Sequence, residues 1–354
     1  MKRISVAMLL LCVCLASAAL LQAQDAHTII RFNVPGAGKG ANQGTEGGGI
    51  GPDGSISGWY VDSRNVAHGY LRAPDGKISK FDPVGSVNTY PVGMNSSLAI
   101  VGYYYDSNGV RHGFLRTSDG TISELDAPHA GNRSGQGTTG TAINTNGEIV
   151  GYFVDSKGVS HGFQRTPEGK FSKFDDPDAG NGSGQGTAPT TFDALTDAGA
   201  IAGQYYDSNG ASHGFLRAPN SKFTNFDPAG SLETFSTGIN SKLAVIGAYF
   251  DPNGLHGFLR TAKGTITSFD VTNAQATAPT NINASGVITG DYVDSIGVSH
   301  GFVRATNGSI TIFSVPGAGN GAGQGTFPFS NNATGAISGT YIDSNNANHG
   351  FLRK

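Results

Sequence analysis

The chain has 354 residues, 54 of them Gly, and only 14% are charged. A formal net charge of −3 offers no basic footprint for nucleic acid, and 20 Phe and 12 Tyr supply too much apolar surface for a disordered chain. Abundant Gly, Asn, Ser and Thr with few Lys and Glu points to strands and tight turns rather than helices.

The first stretch, "MKRISVAMLLLCVCLASAALLQAQ", places Lys2 and Arg3 before an apolar run that ends in small residues. This reads as a secretory signal over 1–23, cleaved after Ala23, with Ala16-Ser17-Ala18 as a second option. The apolar run is short for a membrane span. Both cysteines, Cys12 and Cys14, lie inside it, so the expected mature chain has no disulfide and no Cys-bound metal. The expectation is a secreted or periplasmic protein, with no membrane contact once the signal is removed.

Residues 25–354 then read as one domain. "TIIRFNVPGAGKG" at 28–40 matches "SITIFSVPGAGNG" at 309–321, which contains the fourth strand of a later repeat. After this orphan strand the chain spells one unit seven times. His68, His112, His161, His213, His256, His300 and His349 open an "HG(F/Y)" element every 43–52 residues. Upstream of each stands an Asp (62, 106, 155, 207, 251, 294, 343), an aromatic two residues before it, and a Gly two earlier again (58, 102, 151, 203, 247, 290, 339). Period-two spacing marks one face of an extended strand.

Each copy reads as four short strands: "TAIN"-like, "IVGYFVD"-like, "HGFLR" and "TISKFD"-like. The linker "DSNG" suits a type I turn followed by a left-handed Gly. That register puts Gly102 opposite Phe114 and Tyr104 opposite His112. Four-stranded repeats of this length suggest propeller blades. The blades fall at about 45–82, 89–126, 138–175, 187–227, 234–270, 277–314 and 326–353. The last copy stops after its third strand, at "HGFLRK", and the orphan strand 28–33 supplies the fourth. The expected fold is therefore all-β: a seven-bladed β-propeller of four-stranded antiparallel blades, its ring closed by the N-terminal strand, which leaves no bare sheet edge.

The elements "HGFLR", "HGFVR", "HGFQR" and "HGYLR" resemble the His-Ala-Phe motif of the bacterial extracellular HAF repeats, with Gly in place of Ala throughout. The resemblance covers nearly all of the mature chain. It implies an exported bacterial protein with a propeller-like fold and brings no catalytic residues with it.

Seven equal His, Asp and Arg (Arg72, Arg116, Arg165, Arg217, Arg260, Arg304, Arg353) are expected to brace each blade: Asp accepts from turn N–H groups, His donates to a neighbour and Arg pairs with a carboxylate. "DSNG" lacks the later acidic ligands of a calcium loop. The Gly-rich segments such as "PGAGKGANQGT" join one blade to the next, and with no GK[ST] and no following helix they are not phosphate cradles. They are long at four junctions and short at three, which would make one face of the disc uneven. No metal and no cofactor is expected.

Aligning the innermost strands from Thr45, Thr89, Thr138, Thr190, Thr234, Thr277 and Thr326 leaves two charged residues in the five positions after each, Glu46 and Asp193. Blades one and four stand far apart across the channel, so these carboxylates could face each other as general acid and base. Asn281 and Asn331 could add hydrogen bonds to a ligand. With no nucleophile or metal motif beside them, the leading expectation is a monomeric, non-catalytic binding module for a glycan or surface protein. The alternatives are an extracellular polysaccharide hydrolase or lyase using Glu46 and Asp193, and a purely structural envelope module.

Overall fold

The computed structural model describes residues 27–189 and 193–354. The expected signal, 1–23, and Thr190 lie outside them. Among the described residues there are 28 strands and no helix, so none is long and apolar enough to cross a membrane.

The second copy shows the plan. Strands Asn88–Met94, Ile100–Tyr105, Arg111–Arg116 and Ile122–Glu124 pair antiparallel in sequence order. The register has Gly102 opposite Phe114 and Tyr104 opposite His112, as the period-two pattern requires. A Cβ on Gly102 would lie 2.2 Å from the Tyr90 carbonyl oxygen and 2.9 Å from the Phe114 ring, which is why only Gly stands there. The same meander recurs in the other copies, and in the last one the strand Asn348–Arg353 pairs with the N-terminal strand Ile29–Phe32, from Ile29 opposite Arg353 to Phe32 opposite Gly350.

Three devices join neighbouring copies. The third strand of one copy meets the first of the next in parallel, as in Arg111 beside Gly137. Gly137, at φ 109°, has no room for a Cβ, which would sit 1.9 Å from the Arg111 carbonyl oxygen. In five copies the Thr that opens an inner strand accepts from the backbone of the preceding connection, as in Val34 N to Thr45 Oγ1 at 2.9 Å, Ala127 N to Thr138 at 3.0 Å and Val315 N to Thr326 at 2.9 Å. Where the inner strand turns, Asn amides reach the next copy, as from Asn240 to the Asn283 carbonyl (3.2 Å), Asn283 to Asn332 (3.0 Å) and Asn332 to Gly51 (3.0 Å).

The apolar core lies between copies. Phe81 meets Phe114 edge to face at 6.0 Å, and Phe226 meets Phe258 at 5.9 Å, each pair running from the fourth strand of one copy to the third of the next. Two sequence expectations need correction here. The repeated Arg is laid on a ring rather than on a carboxylate: Arg116 over Phe81 at 5.0 Å, Arg217 over Phe174 at 4.8 Å, Arg304 over Phe269 at 4.7 Å. A planar guanidinium packs on an aromatic face while its end still donates to a backbone carbonyl, as Arg116 does to Thr117. In addition, the fourth copy opens at Thr187, not Thr190. Thr187 pairs with Tyr205 and accepts from Asp176 N at 2.8 Å, the place Thr45 and Thr138 hold in their copies. The inner segment of copy four is longer than its siblings, so counting from a later Thr slips the register.

Candidate functional site

The seven-fold His and Asp are used up in bracing. The hairpin Asp accepts from turn N–H groups, for example Asp106 from Asn108 and Val110, both at 2.9 Å. Each His stacks on its cross-strand aromatic at 4.8–5.3 Å. Its Nδ1 bonds to the residue ending the fourth strand: Asp82, Asp126, Asp175, Asp227 or Asp270 at 2.7–2.9 Å, Ser314 in copy six and Asn33 of the N-terminal segment in copy seven. The Gly-rich connections are braced too: Gln43 Oε1 accepts from Gly40 N, and Gln185 Oε1 from Gly182 N.

One cluster could hold a metal. His112, Glu124 and Asp126 bring ligand atoms within 4.8 Å of one another on the outer edge of copy two. In copy three the corresponding place holds a cation, with the Lys173 ammonium 2.9 Å from Asp175.

What remains lies along the inner strands. On the side where the inner strands turn, a cavity of about 310 Å³ is lined by residues of all seven copies. Asp193, Asn281 and Asn331 all face it. The Asn281 amide donates to Asp193 Oδ2, and Asn281 Oδ1 accepts from Asn331 N at 3.3 Å. Burial pushes the Asp193 carboxyl up to about 6, against the lowering effect of the Asn281 bond.

Glu46 is not among the residues lining this cavity. At the end of the short strand Gly44–Glu46, its carboxylate is held by Thr340 Oγ1 at 2.9 Å and Asn348 Nδ2 at 2.5 Å, both in the last copy. Burial raises its pKa. The two acids expected to face each other are thus engaged separately, Glu46 by copy seven and Asp193 by copy six.

Beside Glu46 lies a feature that reading the copies for their shared residues did not reveal. Trp59, cross-strand partner of Glu46, meets Tyr90 edge to face at 5.8 Å. Tyr90 stacks on Tyr103 at 5.1 Å, and Tyr105 stands edge-on to both. The Arg111 guanidinium lies against Tyr152, 5.7 Å from its ring centre, and donates to its hydroxyl at 2.8 Å. All five rings are half-buried. Burial raises the Tyr90 and Tyr103 phenols, which stay neutral donors. A signal was available: the residue after the repeated second-strand Gly is Trp59, Tyr103, Tyr152, Gln204, Ala248, Asp291 and Thr340, a position that changes chemistry from copy to copy between the constant Gly and the constant aromatic. Asp291 is half-buried, and burial pushes it up to about 7.

No family model matches the chain, and no curated protein matches it in sequence. Solved structures do. A streptogramin B lyase aligns with a TM-score of 0.59 at 16% identity, over 92% of this chain and 97% of that one. A catalytically inactive variant of virginiamycin B lyase from Staphylococcus aureus, with quinupristin, aligns at 0.57 and 16%, over 93% and 99%. A prolyl endopeptidase aligns at 0.51 and 12%, over 85% of this chain and 46% of that one. The fold is that of a β-propeller. At such identity the likeness extends to the fold alone.

Proposed function

We propose that the chain is an exported, seven-bladed β-propeller of the HAF-repeat kind, closed by its N-terminal strand, that works as a binding module and holds carbohydrate on the strip around Trp59. The pairing of Ile29–Phe32 with Asn348–Arg353 and a cavity lined from every copy support the closed ring. The composition of residues 1–23 supports export.

The observation that carries the binding reading is the continuous run Trp59–Tyr90–Tyr103–Tyr105 with Arg111 and Tyr152 at its edge. Aromatic faces ending in hydroxyl, indole and guanidinium donors suit a sugar, whose C–H face is apolar and whose rim is polar. Binding is favoured over hydrolysis because Glu46 and Asp193 are engaged by different partners.

The test is a thermal-shift panel of neutral and acidic oligosaccharides on the mature chain, followed by titration of any hit. Trp59→Ala should weaken a hit at least tenfold, about 1.4 kcal/mol. A panel without a shift, or a hit indifferent to Trp59→Ala and Tyr103→Ala, would overturn the reading.

A further inference from the structure

The cavity on the turn side is lined by polar and apolar residues together, and the apolar ones form a ring. Six copies each contribute one aliphatic side chain at the same level of the inner strand: Ile50, Met94, Ile143, Leu195, Ile239 and Ile282. The seventh places Asn331 there. This residue is only 6% exposed. Its Nδ2 donates to the Val287 carbonyl at 3.1 Å, which fixes the orientation of the amide. Its Oδ1 is buried and has no hydrogen-bond partner among the described residues. A buried acceptor left unmatched costs about 1–3 kcal/mol, so a donor arriving there is stabilised.

Beside Asn331 stand Asn281, 1% exposed, and the Asp193 carboxylate that it contacts. Copies four and six flank copy five, which presents Gly238 beside Asp193, so no side chain intervenes at that point. Among the described residues the lining contains no Lys, Arg or His. Its other carboxylate, Asp197, is at the exposed rim and accepts from Thr145 N at 2.9 Å. The cup therefore offers an apolar wall, one half-buried negative charge and one unmatched carbonyl oxygen. Asp193 is the one carboxylate away from the rim, whereas a hard metal ion takes six or more oxygens. About 310 Å³ is at the small end of ligand pockets.

We propose that this mouth of the channel binds a primary alkylammonium ion, with N–H groups donating to Asp193 and to Asn331 Oδ1 and the alkyl chain lying within the aliphatic ring. The site is separate from the strip around Trp59 and does not depend on what that strip binds. Burial of Asp193 without a counter-cation favours its neutral form, a penalty that a bound ammonium relieves.

The experiment is calorimetric titration of the mature chain with n-hexylammonium chloride, against 1-hexanol, sodium hexanoate and potassium chloride. Saturable hexylammonium binding is expected, at least tenfold tighter than hexanol, with no binding of hexanoate or potassium. Asp193→Asn should weaken it at least tenfold and Asn331→Leu at least threefold, while Trp59→Ala leaves it unchanged. Asp193→Asn is expected to melt at or above wild type, which separates loss of the site from loss of the fold. Absence of saturable binding, equal affinity for hexanol, or full affinity in a folded Asp193→Asn protein would overturn the proposal.

Discussion

The proposed ring closure makes the junction at the N-terminal strand one that can be weighed against an internal one. Phe32, in the N-terminal strand, meets Tyr70 edge to face at 6.2 Å and lies under Arg72 at 5.0 Å. Phe81, inside the chain, meets Phe114 at 6.0 Å and lies under Arg116 at 5.0 Å. Both rings are half-buried. Phe→Ala at a fully buried site costs about 3–5 kcal/mol, so half burial sets each loss near ~2 kcal/mol. That figure already contains the ring pair, about 0.5–1.5 kcal/mol, and the guanidinium contact, about 0.5–1 kcal/mol. In a closed ring the two substitutions should cost the same within about 0.5 kcal/mol, since the junctions are repeats of one another. The assay is urea unfolding of Phe32→Ala and Phe81→Ala at a common slope. If Phe81→Ala loses ~2 kcal/mol while Phe32→Ala loses less than about 0.5, the N-terminal strand is a loose attachment and the closure argument fails.

Two further outcomes follow from the bracing groups. The hairpin aspartates are held below the usual carboxylate range, Asp62 at about 2, chiefly by the Val66 turn N–H. Their contribution is full above about pH 4 and lost as pH falls through the folded values toward 2. His256 works in the opposite direction. Burial alone would lower its pKa, but Asp270 and Asp251 outweigh this and raise it, so its contribution is present below about 6.5 and lost above. Asp193 and Asp291, raised to about 6 and 7, likewise destabilise the fold as they ionise. The urea midpoint should therefore peak near pH 4–5 and fall on both sides; a midpoint level from pH 4 to 2 would refute the acid limb. The Thr latch gives a paired test by the same unfolding assay. Thr187→Val should cost about 1–3 kcal/mol by stranding the buried Asp176 N–H, whereas Thr89→Val should be near neutral, because Thr89 Oγ1 is buried without a partner among the described residues. Equal losses would mean that the hydrogen bond is not what the Thr supplies.

Strand content and register within a copy were legible because they obey a period of two, and one correct pair, Gly102 with Phe114, sets every other. Partners across copies were not. A motif repeated in sequence says that Arg116 has the same environment as Arg217, but not that this environment is a ring on the preceding copy. The slip at Thr190 arose from composition: copy four offers Thr187, Thr190 and Thr191 close together, and only the bond from Asp176 N distinguishes the first. Asp193, Asn281 and Asn331, visible in the sequence as polar residues of the inner segments, line one cavity. Glu46 was equally visible, but its contact is with Thr340 and Asn348, roughly 300 residues further along the chain and beyond the reach of local pattern.

The variable position after the second-strand Gly has a structural reason to vary. Its partner on the third strand is the Gly of "HG(F/Y)": Trp59 faces Gly69, Tyr103 faces Gly113, Asp291 faces Gly301 and Thr340 faces Gly350. That Gly is itself required, because the Phe of the fourth strand lies over it. A Cβ on Gly162 would come within 2.3 Å of the Phe174 ring, and one on Gly350 within 2.5 Å of Phe32. On that side the variable residue has no side chain to match, so Trp, Tyr, Gln, Ala, Asp and Thr all fit against the third strand, while on the other side it meets the inner strand, Trp59 opposite Glu46 and Tyr103 opposite Tyr90. The Gly, the aromatic and the Asp are by contrast tied to recurring partners, the Phe ring, the His and the turn N–H groups. Chemistry can therefore change at this position without breaking the pairing to the third strand, and between the first two copies it places Trp59 and Tyr103 against Tyr90, with Tyr105 edge-on to both tyrosines.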